Sequence, residues 1–210
     1  MNLEIRDVRQ EDLGCITNLV ADTWNVRRFI NNEEILYAAI KVMYINPILN
    51  NSTFGKVATL NGQIVGTIFG SRDGEIPSFR LLQEDNTEEL LKIMQLDGAE
   101  RMTFVNVTSK TIEAYISLLN EKQVDFQGCL EFFAVSEEAR GKKIGKRLLN
   151  EFFSYLREKN TNKIYVYTDT MSSFGFYDYN GFVCLDKVDS VLELPDGEYK
   201  KTDFIYEYTF

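Results

Sequence analysis

The stretch EARGKKIGKRLLNEFF, residues 138–153, combines two glycines with a dense group of basic side chains. Before it stands CLEFFAV, residues 129–135, a near-continuous apolar run that is typical of a central strand. After the glycines, apolar side chains recur at helical spacing, namely Ile144, Leu148, Leu149, Phe152 and Leu156. The sequence therefore predicts a strand, a glycine-containing turn and an amphipathic helix that ends near Asn160.

The turn between this strand and this helix is a candidate anion-binding site. The first turn of a helix presents free backbone N–H groups at the positive end of the helix dipole. Glycines allow the backbone to approach a ligand closely, and basic side chains add positive charge where phosphates would bind. The basic residues are Arg140, Lys142, Lys143, Lys146 and Arg147. The alternative is a solvated helix face, with Gly141 as an ordinary turn residue.

Two familiar phosphate-binding loops do not fit this turn. A Walker A loop requires serine or threonine after Gly145-Lys146 and a glycine at position 140, and this chain has arginine at both places. A Rossmann fingerprint requires three glycines near the first strand, whereas this turn has two and lies late in the chain. The spacing therefore disfavours an ATP- or NAD-binding loop of either kind.

The overall composition restricts the class of protein. The chain has 210 residues, 44% of them hydrophobic and 26% charged, which fits one globular domain over residues 1–210. The N-terminal sequence lacks the basic start and apolar block of a signal peptide, and no stretch approaches the length of a transmembrane helix. We therefore expect a cytoplasmic protein with no membrane partner.

The residue types restrict the chemistry further. The chain has no histidine, which removes histidine-based nucleophile arrangements, His-containing zinc sites and an imidazole base. Its three cysteines are scattered, so we expect buried free thiols and no metal site: Cys15, Cys129 and Cys184. The net charge of −9 argues against a nucleic-acid partner and favours a cationic or neutral small substrate.

The remaining segments predict an α/β domain. A strand and a helix are followed by EEILYAAIKVMYI, a helix with asparagine as N-cap that closes before Pro47. Asn61-Gly62 predicts a hairpin between the second and third strands. Residues 72–124 form a mostly helical insertion, with one helix from Asn86 to a stop at Gly98 and another over TSKTIEAYISLLNEK. The order predicts a mixed sheet of about six to seven strands, flanked by helices.

Two blocks resemble signatures of the GCN5-related N-acetyltransferase (GNAT) superfamily. Arg140, Ile144 and Gly145 match its Arg/Gln-x-x-Gly-x-Gly/Ala motif, with Lys143 where the family most often has glycine. A lysine there is tolerable at negative φ and costly at positive φ. The block SSFGFYDYNGF is similar to the family's Ala-x-x-Phe-Tyr-x-x-x-Gly-Phe, and Thr170 replaces the asparagine that often opens it. The matching positions of this second block are Ser173, Phe176, Tyr177, Gly181 and Phe182.

The resemblance implies a GNAT-like acyl-CoA N-acyltransferase fold with acetyl-CoA as co-substrate. In that family, the strand corresponding to CLEFFAV splays from KIYVYTD, residues 163–169, and pantetheine lies in the opening. The amides around Phe133 and Val135 would bind pantetheine and polarise the thioester carbonyl. The cofactor-binding residues implied are Phe133, Ala134, Val135, Arg140, Gly141, Lys142, Lys143, Ile144, Gly145, Lys146 and Ser173.

The resemblance also implies two catalytic residues. Tyr177 matches the usual general acid toward the departing thiolate, and the alternative is a packed aromatic. Glu131 lies on the strand that often supplies a general base, and strand alternation puts it on the face of Phe133 and Val135. The alternative for Glu131 is a charge at the sheet surface or a partner for a lysine. A nucleophilic role for Cys129 is disfavoured because no base accompanies it.

The function implied is an acetyl-CoA-dependent N-acetyltransferase that acts on a small-molecule or protein amine by direct transfer. The alternative is a non-catalytic acyl-CoA-binding or regulatory module. The insertion at residues 72–124 is expected to shape the acceptor pocket, and the competing role is an arm of a possible homodimer. Acidic residues could attract a cationic acceptor or simply begin helices in solvent: Glu33, Glu34, Asp85, Glu88 and Glu89.

Overall fold

The computed structural model describes residues 2–28, 30–83, 85–120, 125–194 and 197–210. These residues form a seven-stranded sheet in the order β1-β2-β3-β4-β5-β7-β6. The strands are β1 Leu3–Asp7, β2 Phe54–Leu60, β3 Gln63–Arg72, β4 Gly128–Val135, β5 Lys163–Asp169, β6 Val183–Leu194 and β7 Gly197–Thr209. The helices are α1 Leu13–Thr23, α2 Glu33–Ile40, α3 Asn46–Asn51, α4 Thr87–Ile93, α5 Gly98–Asn120, α6 Ile144–Glu158 and α7 Gly175–Tyr179. The predicted α/β fold class with a mixed sheet is confirmed.

The sheet is weakly joined at its centre. β4 and β5 are parallel and pair only between Cys129 and Tyr165, near the start of both strands. The neighbouring pairs β3–β4 and β5–β7 are antiparallel and run along most of each strand. The two central strands therefore part toward their carboxyl ends, and the sheet opens there.

Helices cover both faces of this sheet. Side chains of α6, including Leu148 and Phe152, pack with Ile68 and Leu130 in a core cluster on one face. Helices α1, α2 and α3 supply most of a second cluster, which includes Phe69 and Phe132, on the opposite face. No helix in the described part of the chain is long and apolar enough to cross a membrane.

Local signals placed several elements correctly. Asn61 and Gly62 have φ angles of 52° and 85°, and both belong to the tight turn between β2 and β3. These positive angles are the conformation that Asn-Gly adopts in a two-residue hairpin. The Asn32 side chain caps α2 by accepting hydrogen bonds from the N–H groups of Glu34 and Ile35. Both predictions are confirmed, because each depends on residues adjacent in sequence.

Two boundary predictions are wrong. The second helix does not close before Pro47, because a π-helical stretch over Lys41–Ile45 leads into α3 with Pro47 in its first turn. A proline is tolerated there because the first N–H groups of a helix have no intrahelical partner. Gly98 does not stop a helix but begins α5, and the Asp97 carboxylate accepts a hydrogen bond from Glu100 N at 2.8 Å.

Asn86 is the N-cap residue of α4, as predicted, but its side chain makes no capping hydrogen bond. Its Oδ1 instead accepts a hydrogen bond from Asn46 Nδ2 at 2.6 Å, which joins the insertion to α3. The N–H of Thr87 donates to the Asp85 carboxylate. The expectation of buried thiols holds for Cys129 and is wrong for Cys15 and Cys184, which are exposed.

The insertion between β3 and β4 is mostly helical, as predicted, and it packs into the core. Helix α4 contacts α2, and α5 lies across β6 and β7. Leu96 and Leu118 are almost fully buried, with relative exposures of 2% and 1%. The insertion therefore contributes to the stability of the domain.

Candidate active site

A cavity of about 970 Å³ lies where β4 and β5 part. The end of β4 and the loop that leads into α6 form one wall, and residues around α7 form the other. A third side is closed by residues at the end of α1 and just after it, namely Asp22, Thr23 and Asn25. Ten of the eleven residues expected at the cofactor site line this cavity: Phe133, Ala134, Val135, Arg140, Gly141, Lys143, Ile144, Gly145, Lys146 and Ser173.

Two backbone amides of β4 face the opening. Ser136 N donates to Val65 O at 2.8 Å, so its N–H points toward β3. Successive N–H groups of a strand point to opposite edges, so the amides of Phe133 and Val135 point toward β5. Because β5 pairs only near Cys129, it leaves these two donors facing the cavity.

The start of α6 offers further donors. No side chain caps its first turn, and its N-cap residue is Lys143. Ile144, Gly145 and Lys146, which form that first turn, line the cavity. Uncapped N–H groups at the positive end of a helix dipole are favourable partners for a phosphate. The local arrangement therefore fits an anionic group at this end of the cavity.

The loop reaches α6 through two left-handed residues. Gly141 has φ = 76° and Lys143 has φ = 60°. Lys143 therefore has the positive φ at which a lysine is costly. The left-handed conformation costs a residue with a side chain about 1–2 kcal/mol. Lys143 therefore adopts its left-handed conformation at a cost in stability.

Gly145 lies close against two aromatic rings. A Cβ at this position would lie 3.1 Å from Phe133 Cζ and 3.3 Å from Phe176 Cε2. These two rings contact each other, with centroids 5.0 Å apart, and both line the cavity. Gly145 therefore allows α6 to approach two aromatic rings that join the two walls.

Not every basic residue of the loop faces the cavity. Arg140, Lys143 and Lys146 line it and are exposed. Lys142 is absent from the lining, and its ammonium group donates to Glu138 O at 2.9 Å. The positive charge beside the cavity therefore comes from three of the residues, and a cofactor role for Lys142 would have to use its backbone.

Tyr177 is a buried phenol in the cavity wall. Its ring packs against Phe182 and Tyr206, and its relative exposure is 8%. Burial is the main cause that raises its pKa, and electrostatic interactions with Cys129 and Asp169 add to this effect. The phenol therefore keeps its proton through the neutral range. Its role as general acid stays a prediction.

Glu131 lies on a different face from the one predicted by strand alternation. The pairing of β3 with β4 shifts between Phe69 and Gly70, which face Phe132 and Leu130, so Glu131 has no partner in the register. This β-bulge interrupts the alternation. Phe133 and Val135 pack on the α6 side, whereas Glu131 accepts hydrogen bonds from Ser71 at 2.6 Å and from Asn51.

The environment of Glu131 perturbs its acidity. Burial raises the pKa of its carboxyl group, although the hydrogen bonds from Ser71 and Asn51 oppose this effect. Glu131 does not line the cavity but belongs to the opposite side of β4. A base on that side could serve an acceptor that approaches from there, and this role stays a prediction.

A buried ion cluster on the same side was missed by sequence reasoning. Lys201 lies 2.8 Å from Asp203 and 3.4 Å from Asp169, and its ammonium group also donates to Thr111 Oγ1 at 2.9 Å. Burial raises the pKa of Asp203, and Lys201 counteracts it. The sequence does not predict this cluster, because Asp169 lies on β5 and both Lys201 and Asp203 lie on β7. The three side chains meet only when these two strands pair.

Three of the five acidic residues proposed to attract an acceptor form ion pairs. Ion pairs join Glu33 to Arg27 at 3.1 Å, Glu34 to Lys92 at 2.9 Å, and Glu89 to Lys41 at 2.8 Å. Neither these acids nor Asp85 and Glu88 line the cavity. The described residues of the insertion also contribute nothing to the lining, so a role in acceptor binding stays a prediction.

The chain belongs to the acetyltransferase (GNAT) family, whose model matches residues 18–182. No curated protein sequence matches it. Among solved structures, it is similar to the PaiA N-acetyltransferase of Thermoplasma acidophilum in complex with coenzyme A. The identity is 19% over 100% of both chains, and the TM-score is 0.53.

Two further solved structures are similar over almost their whole length. An N-acetyltransferase from Staphylococcus aureus Mu50 is 16% identical, over 100% of this chain and 99% of the other, with a TM-score of 0.54. The ribosomal-protein-alanine N-acetyltransferase of Brucella melitensis is 15% identical over 99% of both chains, with a TM-score of 0.51. At these identities the similarity defines the fold, and it leaves the acceptor open.

Proposed function

We propose that the protein is an acetyl-CoA-dependent N-acetyltransferase that transfers the acetyl group directly to an amine in a ternary complex. The observation that carries this proposal is the opening between β4 and β5, which joins two free β4 amides and an uncapped helix start in one cavity. The chemistry of these donors fits a ligand with carbonyl groups at one end and phosphates at the other.

The residues that would hold acetyl-CoA fall into two groups. The amides of Phe133 and Val135 would bind the pantetheine arm and the acetyl carbonyl. The first turn of α6, with Arg140 and Lys146, would hold the pyrophosphate. The Thermoplasma structure holds coenzyme A, which supports the same class of ligand for this fold.

When bound, acetyl-CoA would supply a thioester carbonyl that an amine can attack. The Phe133 and Val135 amides would stabilise negative charge on the carbonyl oxygen as it develops. Glu131 would accept the proton of an ammonium acceptor, directly or through water, and its raised pKa makes it a better base than an ordinary carboxylate. Tyr177 would donate its proton to the departing sulfur.

A non-catalytic acyl-CoA-binding module is the alternative, and two residues favour it. Lys143 occupies a left-handed position that suits glycine. Thr170 replaces the usual asparagine, and its hydroxyl accepts a hydrogen bond from Thr202 N at 3.1 Å, which ties it to β7. Such a module would bind CoA without turnover.

The test combines binding with turnover. Thermal-shift measurements with acetyl-CoA, CoA, ATP and NAD should give a stabilisation with the first two only, since a ligand that binds the native state raises its apparent stability. A panel of amines should then release free CoA thiol from acetyl-CoA. CoA binding without thiol release for any amine would favour the non-catalytic module, and stabilisation by ATP or NAD instead would reject the proposed site.

Two lysines provide a matched control for the position of the ligand. Lys146→Ala should weaken CoA binding severalfold, because the lysine lines the cavity at the start of α6. Lys142→Ala removes the same charge from a side chain that is turned to Glu138 O and should change the affinity little. Equal losses in both variants would indicate general attraction to a basic surface.

A further inference from the structure

One wall of the cavity contains a turn that belongs to neither a helix nor a strand. It spans residues 170–174, between the end of β5 and the start of α7. Its members that line the cavity are Met171, Ser172 and Ser173. Thr170 is still joined to Thr202 of β7 by two hydrogen bonds, whereas Met171 and the residues after it lie beyond the strand pairing. Local contacts therefore decide where the lining residues lie.

Asp169, the last residue of β5, binds this turn through its side chain and its backbone. Its Oδ1 accepts a hydrogen bond from Met171 N at 2.9 Å. Its carbonyl oxygen accepts two more, from Ser172 N at 3.1 Å and from Ser172 Oγ at 2.9 Å. The first of these bonds is an Asx turn, in which a side-chain oxygen takes the place of a backbone acceptor. The orientation of the Asp169 carboxylate therefore sets the position of Met171.

Lys201 fixes the orientation of that carboxylate. Its ammonium group lies 3.4 Å from Asp169 Oδ2, 2.8 Å from Asp203 Oδ1 and 2.9 Å from Thr111 Oγ1. An ammonium group has three donors, so three partners match its capacity. The side chains of Lys201, Asp169 and Asp203 are at most 4% exposed. Charges that are buried this deeply are costly to separate, so the cluster favours a single arrangement of the Asp169 carboxylate.

The same lysine connects the cavity wall to the insertion. Thr111 lies on α5, and Tyr115 lies one helical turn further along. The Tyr115 ring stacks on Tyr167 of β5 with centroids 4.1 Å apart, and its carbonyl accepts a hydrogen bond from Tyr167 Oη at 2.9 Å. The described residues of the insertion lie outside the cavity lining, but these contacts join α5 to the strands that carry Asp169 and Lys201.

We propose that Lys201 is a positioning residue for the acetyl-CoA site, because it orients Asp169, which in turn holds residues 171–173 in the cavity wall. The inference rests on the proposed function, in which Ser173 is one of the residues that bind acetyl-CoA. Neither Lys201 nor Asp169 lines the cavity, so both act on the ligand only through the turn. Thr111 completes the set of partners of Lys201, which gives the insertion a part in shaping the site.

The proposed role concerns affinity more than the transfer step. Tyr177, the proposed acid, has its own ring contacts with Phe182 and Tyr206. The two free amides of β4 belong to the opposite wall. A turn released from Asp169 should therefore bind the cofactor more weakly, while the rate at saturating acetyl-CoA should change by less than about twofold.

Two aspartates that share the lysine provide matched variants. Asp169→Asn and Asp203→Asn each remove one negative charge beside Lys201, and of the two it is Asp169 that accepts a hydrogen bond from the turn. Titration calorimetry with CoA should show an affinity about fivefold weaker for Asp169→Asn, because Lys201 no longer orients the side chain. The affinity of Asp203→Asn should stay within about twofold of the wild-type value, since Lys201 keeps its other two partners. Thermal melting would establish that both variants are folded, and a merely structural role would lower the melting temperature without changing the affinity.

A double-variant comparison tests whether Lys201 acts through Asp169. Lys201→Met should weaken CoA binding to a similar extent as Asp169→Asn, and the two changes together should weaken it no further, because they interrupt the same link. Losses that multiply in the double variant would overturn the proposal, as would an unchanged affinity in Asp169→Asn or an equal loss in Asp203→Asn. The two aspartate variants decide the question by themselves if Lys201→Met does not fold.

The binding measurement separates this inference from the proposed function. A wild-type chain that binds CoA but releases no thiol with any amine would reject catalysis, and the same titrations would still decide the positioning role. A wild-type chain that binds no CoA would overturn both.

Discussion

The two sides of β4 provide opposite chemical environments. On the α6 side, the cavity is lined by exposed Arg140, Lys143 and Lys146 and by backbone donors. On the other side, burial raises the pKa of Cys129 and Glu131, and the neighbouring Cys129 raises that of Tyr165. The first side is suited to attract an anion from solvent, and the second is suited to hold or move a proton.

The difference arises from how β4 is paired. The splay from β5 opens the edge of the strand, and the bulge in its pairing with β3 turns Glu131 away from Phe133. One strand therefore separates the proposed cofactor side from a buried, acidic and phenolic side. The variants below test that separation, from the largest expected effect to the smallest.

Lys201→Met should cause the largest change, a loss of about 3–5 kcal/mol in the free energy of unfolding at neutral pH. The change leaves Asp169 and Asp203 buried without their lysine, whose side chain is 3% exposed. The Asp203 carboxyl group has a raised pKa, so it stabilises the fold below its unfolded pKa and loses that contribution as pH rises through the folded value. Acidification should therefore recover part of the loss. Urea denaturation measures the effect.

The neighbouring Lys200 is exposed and serves as the control. Lys200→Met should change the free energy of unfolding by less than about 0.5 kcal/mol. Equal effects of the two variants would show that the buried ion cluster is not what stabilises this side of β4.

Tyr177→Phe should lower kcat by about a hundredfold, because it removes the proposed acid. The affinity for acetyl-CoA should stay within a factor of about three, since the ring remains in the wall. Steady-state rates and direct titration separate the two quantities. Tyr208→Phe, in the same aromatic cluster but outside the cavity lining, is the control. An unchanged kcat would remove Tyr177 from the mechanism.

Glu131→Gln should lower kcat by about tenfold near neutral pH, with a smaller loss at higher pH where solvent deprotonates the amine. It should also raise stability at neutral pH. A carboxyl group with a raised folded pKa stabilises the protein at low pH and loses that contribution as pH rises through that pKa. Rates and thermal melting over a range of pH measure both effects, and Glu151→Gln on α6 is the control. A fall in stability together with activity would indicate a structural role.

Lys143→Gly should have the smallest effect, a gain of about 0.5–1 kcal/mol in the free energy of unfolding. Relief of a left-handed lysine outweighs the extra freedom of glycine in the unfolded chain. Gly141→Ala should have the opposite sign, because Gly141 also has positive φ and its Cβ would meet no neighbour. Chemical denaturation compares the two, and destabilisation by Lys143→Gly would contradict the assigned loop geometry.

Features encoded by neighbouring residues were predictable from the sequence. The apolar period of α6, the hairpin at Asn61-Gly62 and the Asn32 cap depend on residues a few positions apart. The helix boundaries at Pro47 and Gly98 were predicted wrongly because competing local signals exist there. Pro47 suits the first turn of a helix as well as a break, and Asp97 makes Gly98 a helix start.

The sequence by itself determined the strand-loop-helix unit, the two family motifs and the absence of histidine from the chemistry. Only the tertiary structure decided the face of β4 that Glu131 occupies, the left-handed backbone at Lys143 and the meeting of Lys201 with Asp169 and Asp203. The physical reason is the distance along the chain between the residues that interact. A helix period or a turn is a property of adjacent residues, whereas a bulge or a buried ion cluster depends on the register between strands that are distant in sequence.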